Sequence, residues 1–214
     1  MSAGMRKYSA PVIGICRHRL KTDGEGVTTL VAFHSCPLRC RYCLNPQCLE
    51  NERDWEQYDC TTLYHKTKVD ELYFLATRGG VTFGGGEPCL RSEFIGNFRQ
   101  LCGKNWLLTV ETSLNVPREH TERLLPVINR YIVDIKDMNP EIYHRYTGKV
   151  NDDVLRNLSL LQEHGRADST TIRIPLIPGY NTEEDREKSM RQLKTRGFSH
   201  FDLFDYTTSK TLKQ

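Results

Sequence analysis

The sequence predicts an α/β protein built as a partial, open (β/α)6 barrel. Two observations carry that prediction. Short runs of apolar and β-branched residues alternate with segments of helical apolar spacing, about six times over. Strand followed by helix in that rhythm is the pattern of a mainly parallel sheet with helices packed outside it. The count falls short of a full eight-fold barrel. No linker-like shift in composition divides the chain, so one domain is expected over 1–214, with a core from about 23 to 206.

Residues 1–11 read as a loose lead-in, followed by a short strand over Val12 to Ile15. The polar, glycine-rich stretch Lys21 to Gly26 reads as a turn. Val27 to Phe33 is the first barrel strand, and a cysteine-bearing loop leaves its C-terminal end. Leu44 to Lys68 reads as a long polar connection. Val69 to Arg78 has helical spacing at Val69, Leu72, Tyr73 and Ala76. Gly80 to Phe83 is the second strand and runs into a glycine-rich turn; Ser92 to Cys102 is the next helix, with Phe94, Ile95, Phe98 and Leu101 on one face.

Trp106 to Glu111 makes the third strand. A helix over Arg118 to Asn129 should be bent or shortened by Pro126. Tyr131 to Lys136 is the fourth strand, with charge at its C-terminal end. Asn139-Pro140 opens a short helix that Gly148 stops, and Asp152 to His164 forms a longer one stopped by Gly165. Thr171 to Ile177 is the fifth strand. Thr182 caps a helix that begins with three acids and runs to Thr195. Phe201 to Tyr206 is the sixth strand, and Thr207 to Gln214 reads as a frayed tail.

A hydrophobic fraction of 38% and a charged fraction of 27% fit a soluble globular protein. The net charge of +3 makes no case for nucleic acid. No apolar run approaches the length of a membrane span, and residues 1–11 hold no apolar signal core, so a cytoplasmic location is expected. Eight cysteines in such a chain point to metal or redox chemistry before disulfides. The seven histidines show no metal-binding pairing. The basic run Arg17, His18, Arg19, Lys21 reads as a solvated face, with a docking face for an acidic donor as the alternative.

Cys36, Cys40 and Cys43, spaced three then two, can present three thiolates from one loop. A structural zinc site wants four protein ligands, as does a ferredoxin-type cluster. Three leave one iron open to a substrate or cofactor. Cys16, Cys48, Cys60, Cys89 and Cys102 show no second pair of this kind and read as ordinary thiols. A zinc site, or a set of buried thiols, is the alternative for the trio.

The trio, with the aromatic Tyr42 before its last cysteine, resembles the loop of the radical S-adenosylmethionine enzymes. Gly85-Gly86-Glu87-Pro88, after the second strand, is similar to that family's GGE motif. The likeness extends from Asp23 to Tyr206 and is nearest in pattern to glycyl-radical-enzyme activases of the pyruvate formate-lyase type. Asp23-Gly24-Glu25-Gly26 resembles their DGPG turn, and Cys43-Leu44-Asn45-Pro46 their CHNP. Glu111-Thr112 falls at an Asp-Thr pair, Asp134-Ile135-Lys136 matches DLK, and Arg173 with Pro178-Gly179 resembles IRY…PG. Leu44, Gly84 and Thr207 depart from the pattern, standing where histidine, serine and histidine are usual.

The resemblance implies that Cys36, Cys40 and Cys43 ligate a 4Fe–4S cluster and that Tyr42 packs by the adenine of S-adenosylmethionine. Gly85, Gly86 and Glu87 would meet the methionine amino group. Glu111, Asp134 and Lys136 would sit near the ribose and carboxylate, with Arg173 lining the site. A monovalent cation at the Glu111 and Asp134 carboxylates is a further implication. One electron from the cluster would cleave the cofactor to a 5′-deoxyadenosyl radical, which abstracts hydrogen, and no side chain need act as a general base. The implied partners are a glycyl-radical enzyme as substrate and a flavodoxin or ferredoxin as electron donor. Three other readings stay open: a small-molecule substrate as in carboxy-deazaguanine synthases, a ribosomal peptide, and a non-catalytic zinc- or cluster-binding module.

Overall fold

A computed structural model describes residues 9–20, 22–49 and 55–206. The described residues form the strands β1 (Ser9–Leu20), β2 (Val27–Phe33), β3 (Glu56–Asp59), β4 (Gly80–Gly85), β5 (Leu107–Thr112), β6 (Arg130–Asp134), β7 (Thr170–Leu176) and β8 (His200–Asp205). They lie in one sheet, in the order β3-β1-β2-β4-β5-β6-β7-β8. From β2 through β4 to β8 every neighbour is parallel, which is the open six-stranded barrel the sequence predicts. β1 and then β3 extend it as antiparallel strands, with β3 at the edge.

The helices are α1 (Cys60–Lys68), α2 (Glu71–Thr77), α3 (Ser92–Cys102), α4 (Arg118–Leu124), α5 (Pro140–Thr147), α6 (Asp152–Glu163) and α7 (Glu183–Thr195). Their ends follow local chemistry. Asn139 caps α5 by accepting from the Glu141 amide at 2.9 Å, and Gly148 ends it with φ +73°. Thr182 and Asp185 form a reciprocal capping box on α7. α4 stops two residues before Pro126.

The sheet has two chemically different faces. Strand register puts Phe83, Val110 and Tyr131 side by side, and all three are fully buried. Phe94, Ile95 and Phe98 of α3, with Leu158 and Leu161 of α6, complete the core against that face. Each such side chain contributes about 1.5–3 kcal/mol by leaving water. The alternate residues point into the barrel and are polar: Thr82 lies level with Thr109, and Asp134 with Arg173 and Asp202. A parallel strand usually reads apolar on both faces. Here the inward face carries these polar groups beside Leu30 and Ile132, and the site is built there.

Several expectations need correction. The lead-in is structured from Ser9, because β1 is a twelve-residue strand pairing with both β2 and β3. Residues 1–8, the tail 207–214 and Lys21 lie outside the described residues. The connection over Leu44 to Lys68 carries β3 and α1; only Cys60, Leu63 and Thr67 of α1 are buried, too few apolar positions to signal a helix. α2 buries Phe74, not the stripe read from spacing: Val69, Leu72, Tyr73 and Ala76 are exposed. Trp106 decides this by receiving the Phe74 ring at 5.0 Å. Leu101 is likewise exposed and Cys102 buried in its place.

Candidate active site

The loop after β2 is pinned on both sides. Ser35 enters it with φ +81°, and its amide donates to the Cys48 carbonyl at 2.9 Å, closing the loop on itself. Arg39 and Arg41 donate their amides to Thr147 and Tyr146 at the end of α5, at 2.9 and 3.2 Å. Leu38, 2% exposed, anchors it in the core. The loop thereby holds Cys36, Cys40 and Cys43 along the wall of a cavity of about 120 Å³. Burial pushes the Cys36 thiol up to about 12, with Glu87 adding to the effect. Burial also raises Cys40, to about 11, against the pull of Lys136. Cys43 is held below the ordinary thiol range, chiefly by a hydrogen bond from Cys48.

Gly85, Gly86 and Glu87 line the facing wall. A Cβ at Gly86 would lie 2.1 Å from the Ser35 carbonyl oxygen, so only glycine lets the two strand ends approach. The Gly86 and Glu87 amides donate to Phe33 and Ser35, each at 2.8 Å, and Asn45 donates its side-chain amide to the Gly85 carbonyl at 3.1 Å. Glu87 is 1% exposed. Its carboxylate accepts from Cys89, Thr112 and Ser113.

Glu111, Asp134 and Lys136 close the barrel side of the cavity. Lys136 donates to Asp134 Oδ2 at 2.5 Å, with its side chain 8% exposed. Burial opposes the charge on Lys136, yet Asp134 and its other neighbours hold its pKa well above the usual lysine value. The second oxygen, Asp134 Oδ1, is buried and makes no hydrogen bond among the described residues. Burial raises the Glu111 carboxyl, and the Arg173 guanidinium that donates to it works the other way.

A model of the radical SAM superfamily matches residues 30–193. That span runs from within β2 to within α7 and takes in the whole cavity wall just described, Tyr206 apart. The chain belongs to the radical SAM superfamily. It is therefore a member of a family of enzymes. It is 30% identical to the (2S)-3-sulfopropanediol dehydratase activating enzyme of Klebsiella oxytoca, over 75% of this chain and 69% of that one. It is 29% identical to the pyruvate formate-lyase-activating enzyme of Streptococcus mutans, over 89% of this chain and 75% of that one. Among solved structures it is similar to Streptococcus suis SuiB bound to S-adenosylmethionine, with a TM-score of 0.63 at 15% identity. That likeness covers 84% of this chain and 42% of SuiB, less than half of the longer protein, and it concerns the fold.

Of the site residues expected for a radical SAM enzyme, the cavity gathers Cys36, Cys40, Cys43, Gly85, Gly86, Glu87, Glu111, Asp134 and Lys136. Tyr42 and Arg173 stand back from it. The Tyr42 hydroxyl donates to the Pro178 carbonyl at 3.4 Å, and its ring lies 5.9 Å from Tyr180 and 6.5 Å from Tyr206. Arg173 lies deeper in the barrel, bonded to Glu111, Asp202 and the Thr22 carbonyl.

Sequence reading assigned no role to Ser113, Tyr206 or Asn45, all of which line the cavity. A polar run continuing past a strand end, as Glu111-Thr112-Ser113 does, is a signal for the first. Arg17, His18 and Arg19 of the basic run lie at the wrong end for this site, and Lys21 is outside the described residues. Arg17 and His18 bond to Asp70, and Arg19 to Asp23, where β1 pairs with the start of β2 rather than with its cysteine end.

Proposed function

We propose that this radical SAM enzyme is an activase, which abstracts a hydrogen atom from a glycine of a partner glycyl-radical enzyme. The observation that carries the reading is the single cavity shared by the three thiols, the Gly85–Glu87 turn and the Asp134–Lys136 pair. The names of its relatives, both activating enzymes, favour the same class.

The donor set fits a cluster with three protein ligands. Three thiols lie on one wall, yet among the described residues no three His, Cys, Asp or Glu side chains converge on a position for a single metal ion. A cube-shaped cluster takes its thiolates at separate corners; a zinc ion takes them at one point. Cys36, Cys40 and Cys43 would hold the 4Fe–4S cluster, which supplies the electron that cleaves S-adenosylmethionine.

The protein's own share is binding, orientation and exclusion of water. Asp134 Oδ1, buried and without a donor, is suited to accept from a cofactor hydroxyl. Lys136 supplies fixed positive charge for a carboxylate. Gly85 and Gly86 let backbone come close to the amino end. The Glu87 carboxylate already receives four hydrogen bonds, so its part in meeting the amino group is to hold the turn that presents these backbone groups. Tyr42 borders the adenine side, and Arg173 sets the position of Glu111. A monovalent cation stays an implication of the resemblance alone: Lys136 takes one Asp134 oxygen and Arg173 one Glu111 oxygen, which leaves the second oxygen of Asp134 without a donor among the described residues.

The test is anaerobic reconstitution with iron and sulfide, then dithionite and S-adenosylmethionine, with 5′-deoxyadenosine as readout and Cys40→Ala as control. Product that vanishes in the variant supports cofactor cleavage. A glycyl-radical signal on a co-expressed glycyl-radical enzyme supports the activase class. Protein that binds no iron sinks the reading.

A further inference from the structure

The cysteine loop has an outer surface as well as a cavity wall, and its charge is one-sided. From Cys36 to Leu49 and from Ile142 to Asn151 the sequence contains no Asp or Glu. Backbone hydrogen bonds from Arg39 and Arg41 to Thr147 and Tyr146 bring these two segments together. Arg39, Arg41 and Lys149 are exposed there and form no ion pair among the described residues. Most other exposed arginines are different: Arg17, Arg118, Arg156 and Arg191, for example, each face a carboxylate. Arg39 also spans two loop carbonyls, at 2.8 and 2.9 Å, which orders the surface. Apolar side chains accompany the charge, with Leu44 75% and Val150 60% exposed.

We propose that Arg39, Arg41 and Lys149 form the docking surface for an acidic electron-carrier protein. The inference rests on the reading of the loop as a cluster site. Arg39 and Arg41 flank Cys40 in the chain, so a carrier seated on them stands a few bonds from a ligand sulfur. The carrier loses one electron and the cluster gains it; no bond forms or breaks and no proton moves. Unpaired cations of one sign beside exposed apolar groups suit such a transient partner. They steer an acidic protein into contact without binding it permanently. A substrate must instead reach the cavity interior, which these side chains do not line.

The test uses the reconstituted protein with reduced flavodoxin and with a reduced acidic ferredoxin as carriers, and dithionite as the small-molecule reductant. At low salt, the Arg41→Glu/Lys149→Glu variant should take electrons from at least one carrier about tenfold more slowly than the parent. That gap should narrow as salt shortens the screening length. Carrier binding, measured directly by titration, should weaken in parallel, while dithionite-driven reduction is unchanged. Arg41→Lys/Lys149→Arg should behave as the parent, which separates lost charge from lost folding. Lys104→Glu, at the opposite end of the barrel before β5, should have no effect.

The proposal is overturned if neither carrier binds the parent, if binding ignores salt, or if the charge reversal leaves both binding and rate intact. Failure of the cluster reading appears separately, as absent 5′-deoxyadenosine in the dithionite arm. The binding titration reads the surface whether or not the cofactor is cleaved.

Discussion

Ser113 donates both its amide and its hydroxyl to the same oxygen of Glu87, at 2.9 and 2.6 Å. Thr112 and Cys89 serve the other oxygen at 2.6 and 3.0 Å. One buried carboxylate thus ties the turn after β4 to the turn after β5. Whatever the cavity binds, its two adjacent walls are set by this carboxylate.

Glu87→Gln keeps the shape but turns an amide N–H₂ toward two donors. The expected loss is about 2–3 kcal/mol, the range for hydrogen bonds to a buried charged group. Urea unfolding of the apoprotein measures it without any cofactor. A midpoint equal to the parent's would remove Glu87 from this bracing role.

Gly86→Ala sets a methyl against the Ser35 carbonyl, so the cysteine loop has to move. It should lose at least about 2 kcal/mol of stability, as overpacked sites do. Gly96, inside α3 with open space around its Cβ position, is the contrasting case. Gly96→Ala should be neutral or stabilising by up to about 1 kcal/mol. Thermal melts of the pair decide whether steric approach, and not loss of a glycine as such, is what matters.

Cys48 lies 1% exposed under the loop and bonds to Cys43. Cys36, Cys40 and Cys43 line the cavity and Cys48 is not among its lining residues, which suits a neighbour more than a ligand. Reconstituted Cys48→Ala should keep its iron and sulfide, whereas Cys36→Ala should lose them. Equal loss in both variants would point to a four-thiol site.

Asp70 is fully buried and accepts from Arg17, His18 and Thr29. Burial pushes its carboxyl up, but the hydrogen bonds from Arg17 and Thr29, with the nearby charges, outweigh it and hold the folded-state pKa below the ordinary value. The unfolded chain therefore takes up this proton first as pH falls. The resulting stability is complete above the usual aspartate pKa of about 3.9 and is lost toward the lower folded value. Asp70→Asn should cost about 2 kcal/mol at neutral pH and less in acid. Denaturant midpoints across the acid range check the sign.

Glu87 is a residue whose type is legible in the sequence and whose orientation is not. Spacing placed Glu87 at a strand end beside glycines; only the donors on Thr112 and Ser113, 25 and 26 residues away, turn its carboxylate inward. The same distinction divides the fold. Asn139, Pro140 and Gly148 mark the ends of α5 because caps depend on chemistry within one turn. α1 escaped notice because its buried face is only Cys60, Leu63 and Thr67.

By itself, the sequence determined the six strand–helix units, the three-cysteine loop and its place after the first barrel strand. These follow from local pattern, since strand alternation, helix caps and ligand spacing act over a few residues. Tertiary structure alone decided that β1 and β3 extend the sheet, that α2 turns Phe74 inward, and that Tyr42 and Arg173 stand back from the cavity. It also decided that the loop bearing Arg39 and Arg41 meets the end of α5 next to Lys149. Each of those outcomes depends on a partner distant in sequence, and burial and charge pairing are properties of the partner as much as of the residue.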